Sequence, residues 1–285
     1  MSDITAKMRE IAKNLLEKGE VNYIIGWEKG RFPNQSPPAF ITSVEDVGRL
    51  VWDEYCLAGT VKYLLDDKYP TGKIGVFVRG CDARAFNRLL QDNQITRENY
   101  YLIGIPCTGM KDPATGQKAK KCNECTYPNP VVFDQLIGEK VAEDPKLERF
   151  NEVKELENKS PDERYNYWAK QYDKCIRCYA CRNACPACNC RECYVDQYLV
   201  GWQGKQNNRA ENQVYGLTRA LHIADRCIEC GECERVCPMD IPLMNLNRKL
   251  IKDIHELFGS HEAAVDLEEK PALGTYKVDD PEEFM

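Results

Sequence analysis

The chain spells CIRCYACRNACP at Cys175–Pro186 and CIECGECERVCP at Cys227–Pro238, two copies of C-x2-C-x2-C-x3-C-P in one register, 52 residues apart. Three thiolates in such a loop grip three irons of a [4Fe–4S] cubane, and the fourth Cys, followed by Pro, turns to the other cluster. The spacing therefore predicts two crossed ligand sets: Cys175, Cys178 and Cys181 with Cys237, and Cys227, Cys230 and Cys233 with Cys185. Zinc is the alternative for any C-x2-C pair. It seldom calls for this longer run twice, so iron–sulfur is the reading.

Sixteen Cys in 285 residues is a density that needs a chemical reason. Where thiols stay reduced, clustered Cys act as metal ligands rather than disulfides. MSDITAKMREIAKNLLEKGE is charged throughout and does not resemble a secretion signal. No apolar run is long enough to span a bilayer. These features predict a cytoplasmic protein, and so many cubane sites suit an anaerobic cell. Net charge is −6, and His261–Met285, with eight acidic and two basic residues, accounts for it. No basic patch is left for nucleic acid. The tail is expected to run extended onto a partner subunit, with Leu273, Tyr276 and Phe284 set among its acids; a merely solubilising end is the alternative.

Ahead of the motifs the pattern is α/β. Ile4–Lys18 reads as an amphipathic helix, Val21–Trp27 as a strand and Val51–Leu65 as a helix. Lys73–Val78 and Tyr100–Ile105 are short apolar strands, with a helix from about Asp82 between them. Strand, helix, strand implies a parallel sheet, whose ligands sit beyond the carboxyl ends of the strands. Cys81 and Cys107 stand at that edge. Cys122 and Cys125 form a C-x2-C pair in the following loop and complete four thiols for a third [4Fe–4S] cluster. An all-thiolate zinc site and plain core Cys are the alternatives. Cys188, Cys190 and Cys193 have only Cys56 left as a fourth donor; they read as structural or unassigned, with alternative ligands to the first motif as the other reading. Cys56 reads as core on the apolar side of its helix.

The long spacer between the motifs, with RALHIADRCIECGECERVCPMDIPLMNLNRKLIKDIHELF, resembles the α-helical ferredoxins of reductase and dehydrogenase iron–sulfur subunits over Lys174–Phe258. KIGVFVRGCDARAF, LIGIPCTGM and KCNECTYPNP, within Tyr23–Glu139, resemble the beta-subunit family of coenzyme F420-reducing hydrogenases and formate dehydrogenases. They are similar too to the iron–sulfur subunits of sulfhydrogenase and anaerobic sulfite reductase. The resemblance implies a cluster-bearing α/β domain, joined in some members to a flavin that serves a deazaflavin or nicotinamide.

The expected architecture is an α/β domain with a mostly parallel sheet (1–141), a charged helical connector (142–173), a mainly helical two-cluster ferredoxin domain (174–258) and an extended acidic tail (259–285). The expected function is an electron-transfer subunit of a multi-subunit oxidoreductase. Its partners would be hydrogenase-, formate-dehydrogenase-, flavin- or heterodisulfide-reductase-like, and it would relay electrons rather than make bonds. The alternatives are an FAD-containing reductase of F420 or NAD, told apart by its visible spectrum, and a free-standing ferredoxin-like carrier. No G-x-G-x-x-G or G-x4-G-K-[ST] occurs. The three His lack triad partners, so no catalytic residue is assigned. Arg79, Arg84, Arg177, Arg182 and Lys174 lie beside Cys loops, where cations raise a cluster's potential; ordinary surface charge is the equal alternative.

Overall fold

A computed structural model describes residues 2–66, 72–144, 147–197, 199 and 201–274. Helix α1 (Ser2–Glu17) leads into strand β1 (Tyr23–Trp27), and β2 (Pro38–Ile41) returns antiparallel to it. Strand β3 (Ile74–Val78) lies parallel to β1 and is followed by α2 (Gly80–Gln91). Strand β4 (Tyr100–Gly104) runs parallel to β3, and β5 (Gln135–Leu136) parallel to β4. The result is a mixed five-stranded sheet, ordered β2-β1-β3-β4-β5.

The sheet forms because β1 and β3 are apolar at every position and bury both faces. Successive side chains alternate between the faces, except that Trp27, at the end of β1, packs on the side of Ile24. Ile24, Trp27, Phe77 and Ile103 pack with Met8, Ala12 and Leu15 of α1. Tyr23, Ile25, Val76, Val78 and Leu102 pack with Phe86 and Leu89 of α2. The edge strand β2 tolerates Pro38 at its first position, opposite Trp27.

Val51–Leu65 departs from the expected helix. Only Val61–Leu65 winds, as a 3-10 turn. The buried Arg79 guanidinium takes the carbonyls of Cys56, Leu57 and Ala58, which a helix would need for its own N–H groups. Asp53 also accepts the Tyr55 N–H at 2.8 Å and fixes a turn there. Cys56 is fully buried core, but in this loop rather than on a helix.

The remainder is helical. Helix α3 (Lys120–Asn123) lies in the loop between β4 and β5. Then come α4 (Asn151–Glu157), α5 (Pro161–Asp173), α6 (Ala180–Asn183), α7 (Arg209–His222), α8 (Glu232–Arg235) and α9 (Leu243–Phe258). Helix α5 starts at a Ser160/Glu163 capping box with Pro161 in its first turn. The charged connector is not a free spacer: α4 packs on α9 and α5 on α7. No helix among the described residues is long and apolar enough to cross a membrane.

The segment after Phe258 does not leave the body as an extended tail over its described part. It turns back across α2, where Ala263 and Ala264 are buried. Arg84 donates to the Ala263 carbonyl at 2.8 Å and Asn87 to the Ala264 carbonyl at 3.1 Å. Arg149 pairs with Glu262. Tyr276 and Phe284 lie outside the described residues.

Candidate metal centre

The two motifs adopt the same local fold. In each, the second residue after the first Cys has a positive φ (Arg177, 50°; Glu229, 54°). So has the residue after the second Cys (Tyr179, 59°; Gly231, 67°). A short helix follows in each, α6 or α8, and the two helices pack together. A non-glycine residue in this region costs about 1–2 kcal/mol, yet Arg177, Tyr179 and Glu229 all adopt it. The return is that backbone N–H groups turn inward. Arg177 N–H donates to the Cys175 thiol at 3.4 Å, and the Glu229 and Glu232 N–H groups face Cys227 and Cys230.

Two separate cavities result. Cys175, Cys178, Cys181 and Cys237 line one, with Tyr215 and Arg219 behind them. Cys185, Cys227, Cys230 and Cys233 line the other, with Met244 and Asn247. Each cavity thus gathers three thiols of one motif and the Pro-flanked Cys of the other. Burial raises the thiol pKa values of Cys175, Cys227 and Cys230, and pushes Cys233 up to about 12. Such thiols ionise readily only against a cation, as in a bound cluster. The donors are all sulfur, which is the set a cubane takes. Among the described residues no three His, Cys, Asp or Glu side chains close on one point as around a single metal ion.

The sheet edge brings together the other four candidates. Val78 and Gly104 are paired, and Cys81 and Cys107 each follow three residues later. The loop bearing Cys122 and Cys125 folds back over this edge. Cys107 N–H donates to the Pro128 carbonyl at 2.9 Å, and Met110 N–H to the Cys122 thiol at 3.4 Å. Cys125 lies near enough to Cys81, and Cys122 and Cys125 near enough to Cys107, for their charges to act on one another. Gly80 makes the approach possible, since a Cβ there would stand 2.0 Å from the Tyr127 carbonyl.

Cys188, Cys190 and Cys193 are not gathered into a fourth set. Cys188 sits against Cys185, Cys193 beside Arg182, and Cys190 is exposed. Among the basic residues singled out, Arg79 faces Cys81 and Cys107, and Arg84 stacks on Tyr127. Arg177 stacks on Tyr179, while Lys174 ends α5.

Sequence reasoning missed three residues that matter here. Lys121, beside Cys122, is buried in an ion pair with Glu232, which lies between Cys230 and Cys233. Burial opposes ionisation of Glu232, but Lys121 and Arg235 overcome it and hold its carboxyl down to about 2. Arg219 is buried against thiols of both motifs. Nothing local in KKCNEC or GEC marks Lys121 or Glu232. Nor does the helix pattern mark Arg219: it shares the more polar face of α7 with Asn212, Tyr215 and Gly216, yet that face is the buried one.

Two comparisons bear on this geometry. The 4Fe-4S dicluster domain matches residues 171–241, which hold both motif loops. The chain is also similar to the F420-dependent formate dehydrogenase subunit beta of Methanocaldococcus jannaschii, at 23% identity over 87% of this chain and 88% of that protein. It is 26% identical to the F420-dependent formate dehydrogenase 1 subunit beta of Methanococcus maripaludis, over 92% of this chain and 91% of that one. With sulfur-lined cavities inside a dicluster match and a likeness running through the sheet domain as well, the chain is similar over most of its length to these beta subunits and carries a ferredoxin module, as an iron–sulfur electron-transfer subunit of an oxidoreductase complex.

Proposed function

We propose that the chain is a two-ended relay of three [4Fe–4S] clusters. Cys175, Cys178, Cys181 and Cys237 hold the first, Cys185, Cys227, Cys230 and Cys233 the second, and Cys81, Cys107, Cys122 and Cys125 the third. Bound, such clusters supply one-electron transfer, and the protein spaces and tunes them. The 1–141 segment is the sheet domain, 174–258 is the ferredoxin domain, and 142–173 braces the second rather than linking the two.

One observation carries the order of the relay. Cys81 and Cys230 line the same cavity, of about 150 Å³, so the third site adjoins the second. Exposure agrees with this order. Cys185 and Cys233 are buried in the middle, while Cys125 at one end and Cys178 at the other are exposed. A relay needs that pattern; a single-ended carrier does not. The partner at one end is a catalytic subunit of a redox complex. Formate dehydrogenase is the first choice because both relatives carry that name.

The test is anaerobic purification of the native complex, identification of its other chains, and addition of formate. The broad cluster absorbance should bleach with the chain still in the complex. A chain that purifies alone and bleaches only with an artificial reductant would overturn this reading. Resolved flavin bands from the chain itself would assign it instead as a reductase.

A further inference from the structure

Among the described residues six arginines are buried: Arg79, Arg84, Arg88, Arg149, Arg219 and Arg248. Five stand within ion-pair distance of a carboxylate, on Asp82, Glu262, Asp92, Glu229 and Glu124 respectively. Arg219 is the exception. Among the described residues no carboxylate pairs with it. Among those residues its Nε has no hydrogen-bond partner either, and its Nη2 reaches only the Cys181 carbonyl, at 3.3 Å.

Removing a charge from water without a partner costs several kcal/mol. Some anion must offset that cost. Arg219 lines the cavity of Cys175, Cys178, Cys181 and Cys237, and the thiols of Cys233, Cys185, Cys188 and Cys181, drawn from both cavities, act on its charge. The helix that carries it is turned inside out. Asn212, Tyr215, Gly216 and Arg219 face inward, while Val214, Leu217 and Leu221 are each about half exposed. The inward face is built to hold Arg219. Asn212 ties α7 to the Cys175 carbonyl at 2.9 Å, and a Cβ on Gly216 would strike the Tyr172 hydroxyl. Nearby polar groups turn toward the same sulfur, with the Tyr215 hydroxyl 3.5 Å from the Cys181 thiol.

We propose that Arg219 is a positioning residue shared by the two ferredoxin-module clusters, a fixed cation between them that raises the reduction potential of both. The proposal rests on the assignment of the eight motif Cys to two cubanes. Each cluster gains one electron on reduction and so one negative charge, on a site already made anionic by four thiolates. A fixed cation favours the reduced form of either cluster. A planar guanidinium between two sites can serve both, which a lysine's point charge does less well.

The test uses the full chain, prepared anaerobically as wild type, Arg219→Gln, Arg219→Met, Arg219→Lys and Arg209→Gln. Arg209 lies on the same helix but is exposed and paired with Asp173, so it is the control. Iron content and potentials by EPR-monitored titration are the readouts. With iron retained, the Gln variant should lower both potentials by at least tenfold in the reduction equilibrium, about 59 mV for a one-electron couple. The Lys variant should recover part of that, and Arg209→Gln should match wild type.

If Gln alone loses iron, Met, which keeps the apolar stem, carries the comparison. Loss of iron from Gln and Met but not Lys also supports a required cation. Full iron with unmoved potentials overturns the proposal, as does a Lys variant no better than Gln, or loss of iron from all three. A wild-type chain without two cubane signals would instead overturn the cluster assignment itself.

Discussion

Lys121, on the short helix that carries Cys122, is ion-paired out of water with Glu232, which lies between Cys230 and Cys233. The bond joins the loop of the sheet-edge site to the second ferredoxin motif. Lys121 also donates to the Leu57 carbonyl at 2.8 Å, so the Arg79-held loop meets the same point.

Replacing Glu232 by Gln should cost about 3–5 kcal/mol, because it leaves a buried ammonium without its counter-charge. The folded carboxyl is depressed to about 2. Its stabilisation is therefore complete above the ordinary carboxylate range and is lost as pH falls from there toward 2. Lys121 shifts the other way: burial pulls it down, but Glu232 outweighs that and raises it. Its share is present below the ordinary lysine range and is lost only as pH rises through the raised value. Thermal melts of wild type and Glu232→Gln should differ most near neutrality and converge in acid.

Arg79→Lys should unfold the Val51–Thr60 loop. Three carbonyls and Asp82 share one guanidinium, and an ammonium cannot span them. A loss of about 3 kcal/mol or more in denaturant midpoint experiments is expected, from hydrogen bonds to charge worth about 1.5–3 kcal/mol each. An unchanged midpoint would mean the loop holds itself.

Gly80→Ala places a methyl 2.0 Å from the Tyr127 carbonyl and 2.9 Å from that of Asn129. Both are backbone atoms of the loop after Cys125, so the loop must move. The expected result is iron lost from the sheet-edge site alone, with the ferredoxin EPR signals intact.

Stripping iron with a chelator should open the ferredoxin module first. Its cores there are small and partly sulfur, with Cys233, Ile241, Leu243 and Met244 in one and Cys185, Ala187 and Ile223 in the other. Hydrogen exchange should rise in α6 to α9 while β3 and β4 stay protected.

Truncation after Ser260 should destabilise the sheet domain, because Arg84 and Asn87 lose the Ala263 and Ala264 carbonyls and Arg149 loses Glu262. A lowered melting temperature with full iron is expected. An unchanged one would show that the 261–270 segment only rests on α2.

What the sequence made legible was whatever depends on local pattern. A five-residue apolar run such as IGVFV, rich in Val and Ile, reads as a buried strand, and the Cys spacing names its own chemistry. What it hid depends on distant partners. EYCLAG reads as helix until Arg79, more than twenty residues on, takes its carbonyls. Arg219 reads as a surface charge, because an amphipathic helix normally turns Val214, Leu217 and Leu221 inward. Here the sulfur-lined cavities claim the polar face instead. The 261–270 segment lacks any period, and two alanines buried under Arg84 and Asn87 leave no mark in composition.

The three-cluster relay is tested most directly by counting iron in anaerobically prepared wild type and in Cys122→Ser and Cys125→Ser. Four irons per cubane predict about twelve per chain for wild type and about eight for either variant, with the ferredoxin signals unchanged. About eight in all three would contradict the account, leaving a relay two clusters long that ends at Cys230.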